Sequence, residues 1–238
     1  MRHLLQLALW GVGITLQVVL LTSLVRYFQK RYLALLFYTV SLFLTTVAEL
    51  ALQENGRIPA DYLGLYWSLE LIRHAFLYNV VLTLVYQAIQ SDSGRRVRVV
   101  ALLAACSASY WAACLWFLHE ERFNLWMTHS VQWISLGSAV LNLVVWATLV
   151  SKRHRNRVLL MISGAYGMQS AGEAIGQSLR MLSVSSRSMG LFITGNLVAV
   201  LAHFLCLYVW WRTVVRSARE LAPSAIPAPD FDPNRPQE

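Results

Sequence analysis

The chain has 238 residues, of which 57% are hydrophobic and only 13% are charged, and its mean hydropathy is positive. This composition is typical of membrane proteins and disfavours a soluble domain. The net charge of +8 does not indicate a nucleic-acid partner, because the basic residues lie in short segments between apolar runs and not in one exposed patch.

The first apolar run covers residues 4–27 and ends in a basic flank. It is longer than the core of a secretory signal and lacks an A-x-A cleavage site, so we expect a retained spanning helix. Six more segments reach the roughly 20 residues that a bilayer requires. They lie at about 32–53, 62–89, 98–118, 124–150, 158–181 and 189–213. The pattern predicts an all-α fold, a polytopic bundle of seven transmembrane helices in one domain over residues 1–219.

The connections between the predicted spans alternate in charge. The first, third and fifth connections and the segment after the seventh span are basic, whereas the even-numbered connections are acidic or mixed. The positive-inside rule then predicts an outer amino terminus and a cytoplasmic carboxyl terminus, in a multi-pass protein of a bacterial inner membrane. The proline-rich segment 220–238 is expected to be a disordered cytoplasmic tail. We expect no kinase, cyclase or helix-turn-helix domain after the last span, and therefore expect any output to pass through a membrane or cytoplasmic protein partner.

The sixth predicted span carries a polar stripe beside many small residues. Positions at steps of three and four share one helix face. The stripe consists of Tyr166, Gln169, Glu173, Gln177 and Arg180. Polar groups in hydrocarbon cost roughly 2 to 3 kcal/mol each, so the other spans are expected to surround this helix. Its Gly172-x-x-x-Gly176 motif is typical of a close helix–helix contact.

Other polar residues of the spans are expected to join this stripe in a pocket. At a rise of about 1.5 Å per residue, nearly all ionisable groups within the spans fall in the outer half. The third, fifth, sixth and seventh spans would border the pocket, which would take a small polar or amphipathic ligand from the outer side. Its predicted ligand-binding residues are Glu70, Arg73, His74, His129, Gln132, Gln169, Glu173, Gln177 and Asn196.

Two other interpretations of these residues stay open. The polar groups could serve only as hydrogen bonds between helices, with Glu70–Arg73 and Glu173–Arg180 as internal ion pairs. Alternatively, the chain could be an intramembrane metal-dependent enzyme or a haem protein. The candidate metal ligands are His74, His129, His203, Glu70 and Glu173. Because their spacing matches no specific metal motif, we favour a non-enzymatic protein, predict no catalytic residues and leave the cofactor open.

A covalent retinal cofactor is disfavoured. The lysines of the chain, Lys30 and Lys152, lie at predicted cytoplasmic connections, where neither can form a Schiff base inside the bundle.

The second and third predicted spans carry a resemblance to a known class. The features are Glu49 near the end of the second span, Tyr66-Trp67 with Glu70 at the start of the third, and Tyr86 at its close. In these features the chain resembles uncharacterised bacterial seven-helix integral membrane proteins. More loosely, it is similar to the amino-terminal seven-helix sensor module of some histidine kinases. The resemblance implies a sensing or receptor-like role, or that of an accessory subunit, and it transfers no binding residue.

Overall fold

A computed structural model describes residues 2–27, 30–54, 62–89, 107–108, 123–151 and 157–221. These residues form six α-helices and one short 3-10 helix, with no strand among them. The helices are α1 (Arg2–Arg26), α2 (Leu33–Glu54), α3 (Tyr62–Ile89), α4 (Phe123–Ser151), α5 (Arg157–Ser186) and α6 (Met189–Leu221). The 3-10 helix, Lys30–Tyr32, leads directly into α2. The all-α prediction is confirmed.

The six helices correspond to six of the seven predicted spans. Helices α1 to α3 match the first three spans, and α4 to α6 match the fifth, sixth and seventh. The fourth predicted span, 98–118, lies outside the described residues except for 107–108, so the seventh helix of the bundle stays a prediction. Helix α6 continues to Leu221, past the predicted end of its span, because its inward face still buries Val214 and Ser217.

Five of the described helices are long and apolar enough to cross a membrane. The candidate spans are Ala8–Arg26, Lys30–Ala51, Ser68–Ala88, Trp133–Val150 and Met189–Glu220. Helix α5 has 30 residues but is not among them, because its polar stripe and small residues lower its hydropathy. The chain is therefore a helical membrane protein in which one polar helix packs among apolar ones. Its orientation in the membrane stays a prediction.

The described helices share a core of aliphatic and aromatic side chains. In that core the indole Nε1 of Trp210 donates a hydrogen bond to the carbonyl oxygen of Ile162 at 3.0 Å. The ring of Tyr38 meets the Trp210 ring edge to face, with 5.7 Å between centroids. These two contacts join α2, α5 and α6 about a turn and a half from the amino-terminal ends of α2 and α5. The largest fully buried side chains are Trp210, Tyr38, Tyr166, Leu20, Leu24, Leu42, Ile134, Leu207, Val81, Val85, Val145 and Val214.

One end of the bundle is rich in positive charge, and we call it the basic end. It comprises the amino-terminal ends of α2 and α5 and the carboxyl-terminal ends of the other four helices. Its described basic residues are Arg26, Lys30, Arg31, Arg157, Arg212, Arg216 and Arg219. The described carboxylates of α2, α3 and α5 lie toward the other end.

Helices α5 and α6 approach each other most closely where both carry small residues. A methyl group on Gly176 would stand 2.6 Å from the carbonyl oxygen of Gly195 and 3.1 Å from the Cβ of Ala199. A methyl group on Gly172 would overlap Ala202. The contact expected of Gly172-x-x-x-Gly176 is thus present, and its partner is the small face of α6.

Candidate functional site: a polar cluster between four helices

On α3, Glu70, Arg73 and His74 form a hydrogen-bonded group. Positions three and four residues apart face each other on a helix, which lets Arg73 Nη2 donate to Glu70 Oε1 as an ion pair. The Nδ1 atom of His74 lies 2.9 Å from the Glu70 carbonyl oxygen and 3.9 Å from Glu70 Oε1. When Nδ1 carries the proton and donates to that carbonyl, Nε2 keeps its lone pair as an acceptor.

The guanidinium of Arg73 stands at the centre of a wider cluster. Besides Glu70, it interacts electrostatically with Glu49 and Tyr38 of α2 and with Glu173 of α5. Three carboxylates from three helices are therefore within electrostatic range of one guanidinium, and Glu70 is paired with it directly; when all four groups are ionised, two negative charges are in excess. This excess of carboxylate is the dominant electrostatic feature of the site, and we refer to the group around Arg73 as the polar cluster.

On the α5 side, Gln169 and Glu173 are joined one helical turn apart. Gln169 Nε2 donates to Glu173 Oε1 at 3.0 Å. The Gln169 side chain also adjoins the phenol of Tyr38, and only 3% of the residue is exposed. Its amide oxygen, Oε1, is buried without a hydrogen-bond partner in the described part of the chain. Burying an acceptor without a donor costs about 1–3 kcal/mol of stability. A donor group that binds in the site and hydrogen-bonds this oxygen would remove that cost.

Helix α6 closes the cluster with His203 and Cys206. His203 is half-buried and interacts electrostatically with Arg73, while Cys206 is fully buried, carries a free thiol and lies near Glu173. The cluster therefore draws side chains from α2, α3, α5 and α6.

The structure brings five of the predicted ligand-binding residues into this cluster and leaves two apart. Glu70, Arg73 and His74 belong to it from α3, and Gln169 and Glu173 from α5. The two that lie apart, Gln177 and Asn196, have no hydrogen bond or ion pair to the cluster among the described residues. Gln177 is exposed on α5, Asn196 is half-buried on α6, and His129 and Gln132 lie on α4 with side chains outside the described part.

The ion pair between Glu173 and Arg180, expected if the polar groups only join helices, is not formed in α5. Glu173 is paired with Gln169, and among the described residues no ion pair joins it to Arg180. The two positions are seven residues apart, about 10 Å along the helix axis, and the intervening backbone holds them on separate turns.

The candidate metal ligands do not assemble where they are described. Among the described residues, no three His, Cys, Asp or Glu side chains are placed to share a metal ion. His129 could still contribute from outside the described side chains. With Nδ1 bonded to the Glu70 carbonyl, His74 can offer only Nε2, which is a single ligand and not a complete set.

Three members of the cluster were not predicted: Cys206 of α6, and Tyr38 and Glu49, which both lie in α2. The signal was in α2, where Tyr38, Leu42, Thr45 and Glu49 recur at steps of three and four and mark one inward face. Three of these four residues are almost fully buried. A tyrosine amid aliphatic residues is most often a core residue, so its position beside Gln169 becomes visible only in three dimensions.

Comparison with known protein families, with curated proteins and with solved structures finds no match.

Proposed function

We propose that the chain is a ligand-binding membrane protein whose site is the polar cluster, and that it acts as a sensor or accessory subunit through a protein partner. The ligand is a small organic cation with N–H donors, an alkylammonium in the simplest case. It enters from the end of the bundle remote from the basic end, which is the outer side under the positive-inside rule.

The observation that carries this proposal is the unmatched Oε1 of Gln169, buried beside the Arg73 cluster. A carbonyl oxygen accepts hydrogen bonds only, so its partner must be a donor. When the three carboxylates near Arg73 are ionised, their excess negative charge favours a donor that is also positively charged. An ammonium group meets both requirements, whereas an anion would meet neither.

The helix packing explains how binding could be relayed. Helices α5 and α6 share the most extensive contact of the bundle, and α3 and α4 form the next most extensive pair, whereas α3 and α5 touch over only a short stretch. A cation held between Glu173 on α5 and Glu70 on α3 would draw the two pairs together. Such a displacement between rigid pairs is a signal that a partner at the membrane or in the cytoplasm can read.

A thermal-unfolding screen tests the proposal. The full chain, in a mild non-ionic detergent, is heated with methylammonium or 1,4-diaminobutane, and with methanol or acetate as uncharged and anionic comparisons. A ligand at a hundred times its Kd stabilises the folded state by about 2.7 kcal/mol, so the amines are expected to raise Tm and the comparison solutes are not.

Matched variants decide whether the polar cluster is responsible. Glu173→Gln keeps the shape and an acceptor for Gln169 but removes one charge, and it is expected to lower amine affinity about tenfold or more. Glu220→Gln makes the same change at an exposed position of α6, where Glu220 pairs with Arg216 at 2.9 Å, and should bind like the wild type. No amine effect in the wild type, or equal affinity in wild type and Glu173→Gln, would contradict the proposal.

A further inference from the structure

At the basic end, Arg31 is held in place through both its side chain and its backbone. Its Nη2 donates to Ser217 Oγ of α6, and its guanidinium carbon lies 4.8 Å from the ring centroid of Tyr32. The backbone carbonyl of Arg31 accepts a hydrogen bond from Gln87 Nε2 of α3 at 2.8 Å. A surface arginine side chain usually moves freely in water, whereas that of Arg31 is held by α6 and by its own neighbour, and its backbone is held by α3.

Two donors at this place are unused. Arg31 Nε and the hydroxyl of Tyr32 are both buried without a hydrogen-bond partner in the described part of the chain, and Tyr32 is only 6% exposed. Both residues line one cavity of about 10 Å³, roughly the room of a single oxygen atom. Its other walls are mainly aliphatic and include Leu35, Val80 and Ile162.

The charge around the cavity is also unmatched. No carboxylate among the described residues lies within ion-pair distance of Arg31. The described acid of this end, Glu220, is exposed and is already paired with Arg216. A water molecule could accept hydrogen bonds from Arg31 Nε and the Tyr32 hydroxyl, but it would leave the guanidinium charge uncompensated. An anionic oxygen is therefore the better complement.

We propose that Arg31 and Tyr32 form a binding site for a phosphate group with net negative charge, which phosphatidylcholine lacks because its choline neutralises the phosphate; one phosphate oxygen lies in the cavity between α2, α3 and α5. Arg31 is the second residue of the candidate span Lys30–Ala51, which places it at the level of lipid headgroups. Basic pockets between helices at this level bind acidic headgroups, and free phosphate carries the same chemistry. This site is separate from the polar cluster and does not depend on the function proposed for it.

Thermal unfolding of the full chain distinguishes the two sources of phosphate. The protein is titrated in neutral detergent with phosphatidylglycerol, with phosphatidylcholine of the same acyl chains, or with inorganic phosphate. A larger rise in Tm with phosphatidylglycerol than with phosphatidylcholine supports a lipid headgroup as the ligand. A rise with inorganic phosphate alone supports the site and assigns a free anion to it.

Three variants locate the effect. Arg31→Gln is expected to lower the apparent affinity for phosphatidylglycerol about tenfold. Tyr32→Phe keeps the ring and removes the donor, and it is expected to lower that affinity about fivefold. Arg212→Gln removes the same charge from an exposed position at the same end and is expected to leave the titration unchanged.

Three results would overturn the site. The first is an equal response to both lipids together with no effect of inorganic phosphate. The second is a loss in Arg212→Gln as large as that in Arg31→Gln, which would mark a diffuse attraction. The third is an unchanged titration in Tyr32→Phe. That variant alone decides if Arg31→Gln fails to fold.

Discussion

Replacing Gly176 by alanine tests the contact that joins α5 to α6 beside the polar cluster. The added methyl group would stand 2.6 Å from the carbonyl oxygen of Gly195, well inside ordinary contact distance. The obstructing atom belongs to a helix backbone, so no side chain can rotate away. The two helices would have to separate, and the contacts on either side of the glycine would weaken with them.

The magnitude follows from two opposing effects. Overpacking costs about 1–3 kcal/mol, and the upper end applies here because backbone meets backbone. Alanine is a better helix former than glycine by about 1 kcal/mol, which offsets part of that cost. Gly176→Ala is therefore expected to lower the free energy of unfolding by about 2 kcal/mol.

Gly11→Ala provides the matched control. No atom lies within 4 Å of a methyl group built on Gly11 in α1, so only the helix-propensity gain of about 1 kcal/mol should appear. Both variants can be unfolded with sodium dodecyl sulfate in mixed micelles and followed by circular dichroism. A Gly176→Ala protein at least as stable as the wild type, with Gly11→Ala unchanged or improved, would refute the packing of α5 on α6.

Three further predictions concern single interactions. Asn142→Ala is expected to lower the free energy of unfolding by about 1 kcal/mol, because Asn142 Oδ1 accepts a buried 2.6 Å hydrogen bond from Ser163; a double-mutant cycle in mixed micelles measures the coupling. Trp210→Phe should cost about 1–3 kcal/mol in the same assay, since it loses a buried hydrogen bond and core volume together. Arg73→Gln should reduce the amount of folded protein in membranes more than Glu70→Gln does, because it removes the guanidinium that faces three carboxylates.

Each of these predictions has an outcome that contradicts it. Additive effects of Asn142→Ala and Ser163→Ala would show that the two side chains are not coupled. Trp211→Phe, at a half-buried neighbouring position, should be milder than Trp210→Phe, and the reverse order would contradict the core packing. Equal accumulation of Arg73→Gln and Glu70→Gln would mean that the carboxylates are not repelling one another when the guanidinium is removed.

Helical periodicity carried most of what could be predicted from the sequence. Runs of about 20 apolar residues located the helices, and α3 has the bounds of its predicted span. Steps of three and four also placed Glu70, Arg73 and His74 on one face, where they are hydrogen-bonded. Both patterns depend only on local geometry, which a sequence states directly.

Contacts between helices could not be read in the same way. The GxxxG motif of α5 indicated a close partner but not which helix supplies it, and the answer depends on the small face formed by Gly195, Ala199 and Ala202. The fixed position of Arg31 was hidden for a similar reason. Its partner Ser217 lies 186 residues away, and a lone arginine at a span boundary is indistinguishable from a topology signal.

The polar stripe of α5 was predicted as one continuous feature, yet its environment changes along the helix. Tyr166 and Gln169 are buried, Glu173 is half-buried and Gln177 is exposed in the single chain. Periodicity assigns all four to one face but does not state how far neighbouring helices extend along it. The site accordingly lies toward the middle of the bundle.

Equilibrium dialysis of radiolabelled methylammonium against the purified full chain tests the central claim most directly. The proposed site predicts saturable, stoichiometric binding that a metal chelator does not affect, that Glu220→Gln retains and that Glu173→Gln weakens about tenfold or more. Binding that does not saturate, that the chelator abolishes, or that is the same in Glu173→Gln as in the wild type would contradict a cation site in the polar cluster.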